Sequence, residues 1–418
     1  MKMKVMENME WEYCRESFGR DCTEKDRIKK TEEILDFANM VFSMEYSGTD
    51  FASLLPKAYS PERSGIPIHH MIKEEDKIKA LIDVYPMTLQ LQGENSSAVR
   101  AAYIGTVSVH PNARGRGYMI ELMRAVELDA RKQGCALLIL DGDRHRYQHY
   151  GFERAGIRYT FQINTGNISH CCAKIYDKAY MESPIYSFEE LEEQSPYLDS
   201  LYKLYQKRLV TARSRQDFWL CLQSYHATAF AILKCGTPVG YVDLSANEKN
   251  VSEIELDDIS ELPRVLYDLM MGFDVEQLGI SVGMDETDKI EQLERACDCC
   301  NMSMSHQIKI LEYETFLTFL LIWKQEYNTL AISEYVLGVR NAQTGSTENY
   351  LLSVAENGVC VSRTERAADM VLEELELVRV LTTSLYFVEQ QKGKRSKMKN
   401  VPAGWFPLPF YLPEADTF

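Results

Sequence analysis

Residues 107–134 read VSVHPNARGRGYMIELMRAVELDARKQG, and this stretch decides the fold. Val107 and Val109 alternate with a serine, which is typical of a strand. From residue 119 to residue 130 the apolar residues recur at helical spacing, and a glycine follows where the helix ends. Residues 136–140 are wholly apolar, as expected of a buried strand with a parallel neighbour. The stretch therefore predicts one βαβ unit with a glycine-containing turn after its first strand.

The regions on either side of this unit have patterns of their own. Apolar spacing over residues 34–42 predicts an amphipathic helix. Downstream of the unit we expect a second α/β set without an Arg/Gly-rich turn, and then short strands, a helix and a basic loop. The predicted elements are a hairpin of Ile66–Ile72 and Ile78–Pro86, a strand at Val99–Val109, a helix at Glu189–Leu209 with a break at Pro196, strands at Phe230–Leu233 and Val239–Leu244, a helix at Glu261–Met271, strands at Tyr350–Val354 and Gly358–Arg363, a helix at Ala367–Tyr386, a loop at Lys392–Lys399 and a packed apolar end at Trp405–Phe418.

Composition narrows the class of protein. The 418 residues suggest two to three domains at about 150 residues each. Lys and Arg number 46 against 62 Asp and Glu, which leaves a formal charge of −16. That charge disfavours nucleic-acid binding, which is largely electrostatic. It suits a cationic small molecule or a basic peptide, although many acidic enzymes have no such partner.

Cysteine usage and hydropathy bear on location and metal. The N-terminus shows no secretory signal, and the most apolar run, Phe316–Trp323, is far shorter than the roughly 20 residues of a membrane span. We therefore expect a cytoplasmic protein whose 11 cysteines are reduced. Cys297 and Cys300 form a C-x-x-C pair, with Cys299 and His306 nearby. No second pair has zinc spacing, so no metal is predicted.

The turn Arg114–Gly117 can bind an anion. The first turn of a helix leaves backbone N–H groups unpaired, and the helix dipole adds partial positive charge there. Glycines let a phosphate approach the backbone closely, and arginines add charge-assisted donors. The turn lacks the Lys-Ser/Thr of a Walker loop and the three glycines of a Rossmann fingerprint. It indicates a pyrophosphate cradle, with a tight turn and solvated arginines as the alternative.

Residues 107–119 resemble the signature of the GNAT N-acetyltransferase superfamily, V-x-V-x-P-x-x-R-x-x-G-x-G/A, except that Met119 replaces the final Gly or Ala. The resemblance covers about residues 28 to 160 and implies binding of acetyl-CoA. Backbone amides near Val107 and Val109 would hold the acetyl carbonyl and the pantetheine. The pyrophosphate would be held by the turn, Arg114, Gly115, Arg116, Gly117, Tyr118 and Met119.

A second resemblance is narrower. Asp143–Phe152 is similar to the Y-x-x-[FY]-G-[FY] segment of Eis-type (enhanced intracellular survival) acetyltransferases. That family has a degenerate second GNAT domain and a sterol-carrier-like α+β domain, and it is commonly oligomeric. The resemblance implies a mixed α/β and α+β fold, with an extension at 1–27, a catalytic GNAT domain at 28–162, a degenerate GNAT-like domain at 163–312 and a sterol-carrier-like domain at 313–418.

The same resemblance implies roles for two residues. In the family, the tyrosine at the position of Tyr147 is the general acid for the leaving thiolate. The C-terminal carboxylate is the general base, and here it belongs to Phe418. A tyrosine with a pKa near 10 is protonated at neutral pH and can donate, whereas a carboxylate is a weak base unless burial raises its pKa or it acts through water. The alternatives are a tyrosine packed beneath the cofactor and a terminus that is merely docked.

Further polar residues flank the expected site. His110, His145 and His149 could take a proton or could be ordinary surface residues. Acidic residues could line a pocket for a cationic amine, although Asp50 is equally suited to capping a helix. These acidic candidates are Glu45, Asp50 and Asp141.

Together these features predict an acetyl-CoA-dependent N-acetyltransferase that works by direct attack on a primary amine. No cysteine beside the turn has an evident base partner, and Cys135 is better explained by packing. The acceptor is open between an aminoglycoside-like drug, a polyamine, a lysine side chain and a metabolite. Two alternatives remain: a CoA- or lipid-binding protein on an inactive GNAT scaffold, and transfer of aminoacyl or longer acyl groups.

Overall fold

The computed structural model describes residues 11–17, 23–91, 96–207, 211–247 and 249–418. Three sheets with helices packed against them make a mixed α/β fold, as the sequence predicts. None of the helices in these ranges combines the length and the apolar character needed to cross a membrane.

The first sheet comes mainly from the first 155 residues. Helix α1 begins where the Thr23 side chain accepts a hydrogen bond from the Asp26 N–H, which caps the helix. The predicted helix, hairpin and βαβ unit are confirmed. The elements are β1 (Glu12–Glu16), α1 (Glu24–Ser43), α2 (Phe51–Leu54), α3 (Pro56–Tyr59), β2 (Ile68–Glu74), β3 (Lys77–Leu91), β4 (Ser97–Val109), α4 (Tyr118–Lys132), β5 (Leu137–Leu140), α5 (Arg144–Gln148) and β6 (Glu153–Arg154).

Within the predicted N-terminal extension, β1 pairs with β2 at the edge of the first sheet. Residues 1–10 and 18–22 lie outside the described residues.

The second sheet follows in the chain, and its predicted strand pair and helix are confirmed as β9, β10 and α10. Its elements are β7 (Ile157–Asn164), α6 (Thr165–Ile175), α7 (Lys178–Met181), β8 (Tyr186–Glu190), α8 (Leu198–Tyr205), α9 (Arg215–Leu222), β9 (Thr228–Lys234), β10 (Thr237–Leu244), β11 (Asn250–Leu256), α10 (Leu262–Gly272), β12 (Gln277–Gly283), α11 (Thr287–Ala296) and β13 (Cys299–Met304).

The predicted helix over residues 189–209 is wrong at its start. Residues 186–190 form the edge strand β8 instead, because they pair with β9 and their first N–H donates to Asp268. The helix begins only at Leu198, after the break predicted at Pro196. Residues 208–210 lie outside the described residues.

The last part of the chain supplies the third sheet and one strand for the first. Both predicted strands are confirmed, as β16 and β17. The predicted helix over 367–386 is wrong in part, because residues 370–373 pair in parallel with β15 before two short helices follow. The elements are β14 (Gln307–Ile310), α12 (Tyr313–Tyr327), β15 (Ser333–Arg340), β16 (Thr347–Ala355), β17 (Gly358–Arg363), β18 (Met370–Glu373), α13 (Glu374–Thr382) and α14 (Leu385–Gln391). The sterol-carrier-like character of this part stays a prediction.

The first two sheets have the same strand arrangement, and each contains one strand that adjoins, in the chain, the strands of the other sheet. Their orders are β1-β2-β3-β4-β5-β14-β6 and β8-β9-β10-β11-β12-β7-β13, while the third sheet is β17-β16-β15-β18. One parallel pair lies inside each of the first two, β4 with β5 and β11 with β12. Strand β14 follows the strands of the second sheet in the chain but pairs in the first sheet. Strand β7 follows the strands of the first sheet in the chain but pairs in the second. The domain boundaries at residues 28, 163 and 313 stay predictions.

The largest core lies between α1, the first sheet, α12 and the third sheet. The apolar end of the chain belongs to it, with Trp405 and Leu408 fully buried. The prediction that this end is packed rather than free is confirmed.

Candidate active site

The site begins where β4 and β5 separate. Their parallel ladder runs from Ala101 and Leu137 to Ile104 and Leu140, and β4 then continues to residue 109 without β5, paired only with β3. At this point the register between β3 and β4 shifts, and Thr106 adopts a φ of 46°. A bulge of this kind bends a strand away from its neighbour. The resulting gap, between residues 105–109 of β4 and residues 141–143 after β5, is called here the fork.

A buried carboxylate stabilises the bulge. Asp83 of β3 accepts hydrogen bonds of 2.6 Å from the hydroxyls of Tyr59 and Thr106, and its other oxygen lies 2.6 Å from Nδ1 of His69. All four side chains are buried. Because the buried Asp83 carboxylate accepts a hydrogen bond from Thr106, the bend of β4 is fixed by the protein core and does not depend on an exposed loop.

The backbone of β4 turns donors toward the fork. The N–H of His110 donates to the Lys79 carbonyl on β3 at 2.8 Å. Successive N–H groups of a strand point to opposite edges, so the N–H groups of Val109 and Val107 face away from β3 and toward the fork. These are the two backbone positions that the resemblance to the GNAT signature implies for the acetyl carbonyl and the pantetheine.

The turn after β4 is open. Gly115 and Gly117 both have a φ of 78°, which favours glycine, and a Cβ on either would meet no atom within 4 Å. Helix α4 begins directly afterwards, at Tyr118, so its first N–H groups lie beside this space. An anion therefore fits here, held by backbone donors and the positive end of the helix dipole.

Two residues of the turn are tied to the β2–β3 hairpin. Arg116 donates to Glu74 at 2.9 Å, and the Tyr118 hydroxyl donates to the same carboxylate. Partial burial would raise the pKa of Glu74, but the hydrogen bonds from Tyr118 and Arg116 lower it. Arg116 and Tyr118 thus position the turn. Arg114 is exposed.

Tyr147 lies on the β5 side of the fork. It belongs to α5, which begins where the Asp143 side chain accepts the Arg146 N–H. Its ring is 6 % exposed and lies so close to Gly142 that a Cβ there would be 2.9 Å from Cε2 of the tyrosine. Burial raises the pKa of Tyr147 above 10, so the hydroxyl holds its proton at neutral pH.

Phe418 lies on the β4 side of the fork. Its ring stacks on Tyr85 with centroids 4.2 Å apart and an interplanar angle of 10°. Its carboxyl carbon is 3.4 Å from the position that a Cβ on Gly105 would take. The structure therefore brings Phe418 and Tyr147 to opposite sides of one gap.

Asp141 connects the two sides. It follows β5 and accepts a 2.6 Å hydrogen bond from the hydroxyl of Tyr103 on β4, whose ring centroid is 5.5 Å from that of Phe418. Burial would raise its pKa, but the hydrogen bond and charge of His306 and the hydrogen bond of Tyr103 lower it. The carboxylate side chain is still 44 % exposed, which makes it an accessible anion at the fork.

His306 was missed as a member of this site. Its Nδ1 is 2.8 Å from Asp141, and its Nε2 is 3.1 Å from the carbonyl of Leu412. Both partners of the imidazole are hydrogen-bond acceptors. The sequence placed His306 near a cysteine pair, whereas its side chain turns toward a residue 165 positions earlier in the chain.

The remaining candidates have ordinary surroundings. His110 accepts the Asn112 N–H at 3.2 Å and so caps a short turn, and Asp50 caps α2 through the Ala52 N–H at 3.1 Å. Cys135 is buried, and burial raises its pKa. In the ranges that the structure describes, no group of three or more His, Cys, Asp or Glu is placed to hold a metal. His145, His149 and Glu45 are exposed.

The fold and the site define the class of protein. Residues 25–155 match the family model of the acetyltransferase (GNAT) domain. The chain therefore carries a GNAT acetyltransferase domain, and the fork and the turn belong to it.

Solved structures show the fold of the whole chain. Eis1 from Mycobacterium abscessus has a TM-score of 0.62 at 14% identity, covering 97% of this chain and 100% of that one. A probable N-acyltransferase from Enterococcus faecalis has the same TM-score at 13% identity, covering 96% and 100%. A GCN5-related N-acetyltransferase from Kribbella flavida has a TM-score of 0.60 at 16% identity, covering 91% and 93%. No curated protein matches the chain in sequence. The fold is thus Eis-like over nearly the full length.

Proposed function

We propose that the protein is an acetyl-CoA-dependent N-acetyltransferase that moves the acetyl group to a primary amine by direct attack. The observation that carries this proposal is the position of Phe418, whose carboxyl carbon lies beside Gly105 in the fork of a GNAT acetyltransferase domain. The Phe418 carboxyl group lies beside Gly105 on the β4 side of the fork, and Tyr147, which holds its proton, lies beside Gly142 on the β5 side.

The chain has the donors to orient the co-substrate. The N–H groups of Val107 and Val109 face the fork and suit a carbonyl and a pantetheine amide. The open turn with Gly115 and Gly117 suits a pyrophosphate. Acetyl-CoA supplies the thioester, and these groups hold it with the reacting carbonyl in the fork.

The two flanking residues can carry the protons of the reaction. The amine attacks in its neutral form, so a cationic acceptor first releases one proton to solvent. As the amine nitrogen bonds to the acetyl carbon and the carbon–sulfur bond breaks, the Phe418 carboxylate accepts the second proton that the nitrogen loses. Tyr147 gives its proton to the sulfur. Its raised pKa keeps that proton available at neutral pH. Direct attack needs no acyl-enzyme, and the buried thiol of Cys135, whose pKa is raised, is a poor nucleophile.

The acceptor is proposed to be a cationic amine, as a small molecule or on a peptide. Asp141 presents an exposed carboxylate at the fork, and the chain carries a formal charge of −16. Both favour a positively charged partner approaching this side of the molecule.

The experiment that tests the proposal is acetyl transfer from acetyl-CoA to a panel of polyamines, aminoglycosides and lysine peptides, with Tyr147→Phe as the variant. Removing the hydroxyl should lower kcat about 100-fold, which is the low end of general acid catalysis. Tyr150→Phe is the matched control, because it removes a hydroxyl three residues away on the same segment, and it should keep kcat. If no amine is acetylated although acetyl-CoA binds, the chain is instead a CoA- or lipid-binding protein on an inactive scaffold.

A further inference from the structure

We propose that Arg213 is a positioning residue that holds residues 411–418, called here the tail, so that Phe418 stays in the fork. The role of the Phe418 carboxylate rests on the proposed function. The contribution of Arg213 comes from the second half of the chain.

The tail starts in a gap of the second sheet. Strands β11 and β12 pair only through Asn250–Gly279 and Val251–Ile280 before they separate, as β4 and β5 do. This second fork is filled, because the Tyr411 hydroxyl donates to the Ser281 carbonyl at 3.3 Å. The residues that line the gap include Val251, Glu253, Ile280, Lys289, Tyr411 and Pro413. The chain then runs from this gap to the first fork.

Arg213 connects a wall of the second fork to the tail. Its Nη1 and Nη2 donate to the two oxygens of Glu253 on β11 at 3.2 and 2.7 Å, and its Nε donates to Asp416 at 2.8 Å. The guanidinium also lies 4.6 Å over the ring of Tyr205. The side chains of Arg213, Glu253 and Asp416 are 1 %, 4 % and 4 % exposed. A carboxylate of the tail therefore forms a buried ion pair with this arginine.

Besides the contacts of Leu412 and of the Phe418 ring given above, the tail has contacts through the Ala415 carbonyl, the Thr417 hydroxyl and the Phe418 ring. Lys57 donates to the Ala415 carbonyl at 2.6 Å and lies 4.4 Å over the Phe418 ring. Thr417 donates to the Tyr225 hydroxyl at 2.9 Å. Asp416 is two residues from the terminal carboxyl group, a reach of about 7 Å in extended chain. A fixed Asp416 therefore restricts where that carboxyl group can lie.

The contact matters for the tail more than for the second sheet. Glu253 already pairs with Arg213 through two hydrogen bonds, and Tyr241 donates to the same carboxylate. Without the Asp416 charge this pair keeps its partners, while the tail loses its ion pair with Arg213. Asp416→Asn removes that charge at nearly constant shape and spares the Arg213–Glu253 pair.

The full-length protein is tested with Asp416→Asn and with Asp268→Asn as the matched control. Asp268 pairs with the buried Arg264 at 3.0 Å in the same half of the chain and makes none of the tail's contacts described above. Two quantities are measured, the rate at which carboxypeptidase releases Phe418 from the folded protein and the steady-state kinetics of acetyl transfer. Loss of a charged hydrogen bond predicts about tenfold faster release and about tenfold lower kcat for Asp416→Asn, with little change in KM for acetyl-CoA. Asp268→Asn should lower the melting temperature and leave both quantities unchanged.

The outcomes separate this inference from the proposed function. Unchanged release of Phe418 in Asp416→Asn, or equal changes in the two variants, overturns the anchoring by Arg213. Faster release with unchanged kcat supports the anchoring and overturns the assignment of the Phe418 carboxylate as base.

Discussion

The chain contains two strand–turn–helix–strand units, β4–α4–β5 and β11–α10–β12, and they differ at the turn. The first turn has two glycines at positive φ and an unobstructed helix start. In the second, three carboxylates stand before or at the helix start, and Pro263 replaces an N–H donor in the first turn of the helix. The first turn suits an anion, whereas the second would repel one. The carboxylates of the second turn belong to Asp257, Asp258 and Glu261.

The two forks differ in how much of the tail lies in them. The second fork is occupied by the tail from Tyr411 to Pro413, whereas the first fork receives only Phe418 at its edge. A parallel pair thus separates in both sheets, but of the two only the first is followed by a glycine turn with open space around its backbone. In the second sheet the corresponding gap contains part of the protein's own tail.

The largest effect is expected from masking the carboxyl group in the first fork. One residue added after Phe418 should lower kcat about 10²- to 10⁴-fold, the range attributed to a lost general base. Phe418→Leu keeps the carboxylate and is the control. The measurement is kcat at saturating acetyl-CoA, and an extended chain with normal kcat would remove the carboxylate from the mechanism.

The next effect separates the two turns directly. Gly117→Glu places a side chain at a φ of 78° and a negative charge in the phosphate position, so binding of acetyl-CoA should be lost. At 100 times Kd this ligand would otherwise add about 2.7 kcal/mol to the free energy of unfolding. Thermal unfolding with and without acetyl-CoA measures the change. Ser260→Glu makes the matching substitution in the second turn and should keep the full shift; equal behaviour of the two variants would contradict the comparison.

A third prediction concerns pH and the lysine that touches the tail. Burial lowers the pKa of Lys57 to about 8 in the folded protein, below its unfolded value. Between these two values the unfolded chain binds more protons, so stability rises with pH. The unfolding free energy of wild type minus that of Lys57→Met should therefore rise above pH 8 by up to about 1.4 kcal/mol per pH unit. Denaturant unfolding from pH 7 to 9.5 checks this, and a flat difference would count against it.

The smallest effect is expected at the cap of the short 3₁₀ turn Ile259–Glu261, which precedes α10 in the second unit. Asp258 accepts the Ser260 N–H at 3.0 Å, and Asp258→Ala should cost about 1 kcal/mol of stability without changing the shift caused by acetyl-CoA. Asp143→Ala removes a comparable cap from the helix that carries Tyr147 and should also lower kcat. Urea midpoints and initial rates of both variants decide this, and a loss of kcat in Asp258→Ala would link the second turn to the reaction.

Local patterns made much of the first half predictable. The βαβ unit, the hairpin and the turn depend on neighbouring residues, because apolar periodicity and glycine positions act within a few residues. The same holds for the apolar end of the chain, whose composition predicts burial.

Long-range pairing was not predictable in this way. Asp83 stabilises the bulge through a threonine 23 residues later, and Arg213 meets Asp416 over 203 residues. The two wrong elements, over 189–209 and 367–386, have the same origin, because strands β8 and β18 form only on neighbours already in place. The sequence associates His306 with the cysteines near it in the chain. Its hydrogen-bond partners are instead Asp141 and the Leu412 carbonyl, which are distant in sequence.

Strands β7 and β14 are exchanged between the first two sheets. The two parts of the chain that form these sheets therefore resemble the subunits of a domain-swapped dimer joined into one polypeptide. The strand between β5 and β6 is β14, at residues 307–310. During synthesis these residues are added more than 150 positions after β5 and β6. A fragment that ends after residue 155 would leave two bare strand edges, which are prone to aggregate. The region that matches the acetyltransferase family model therefore lacks one strand of its own sheet, which residues 307–310 supply.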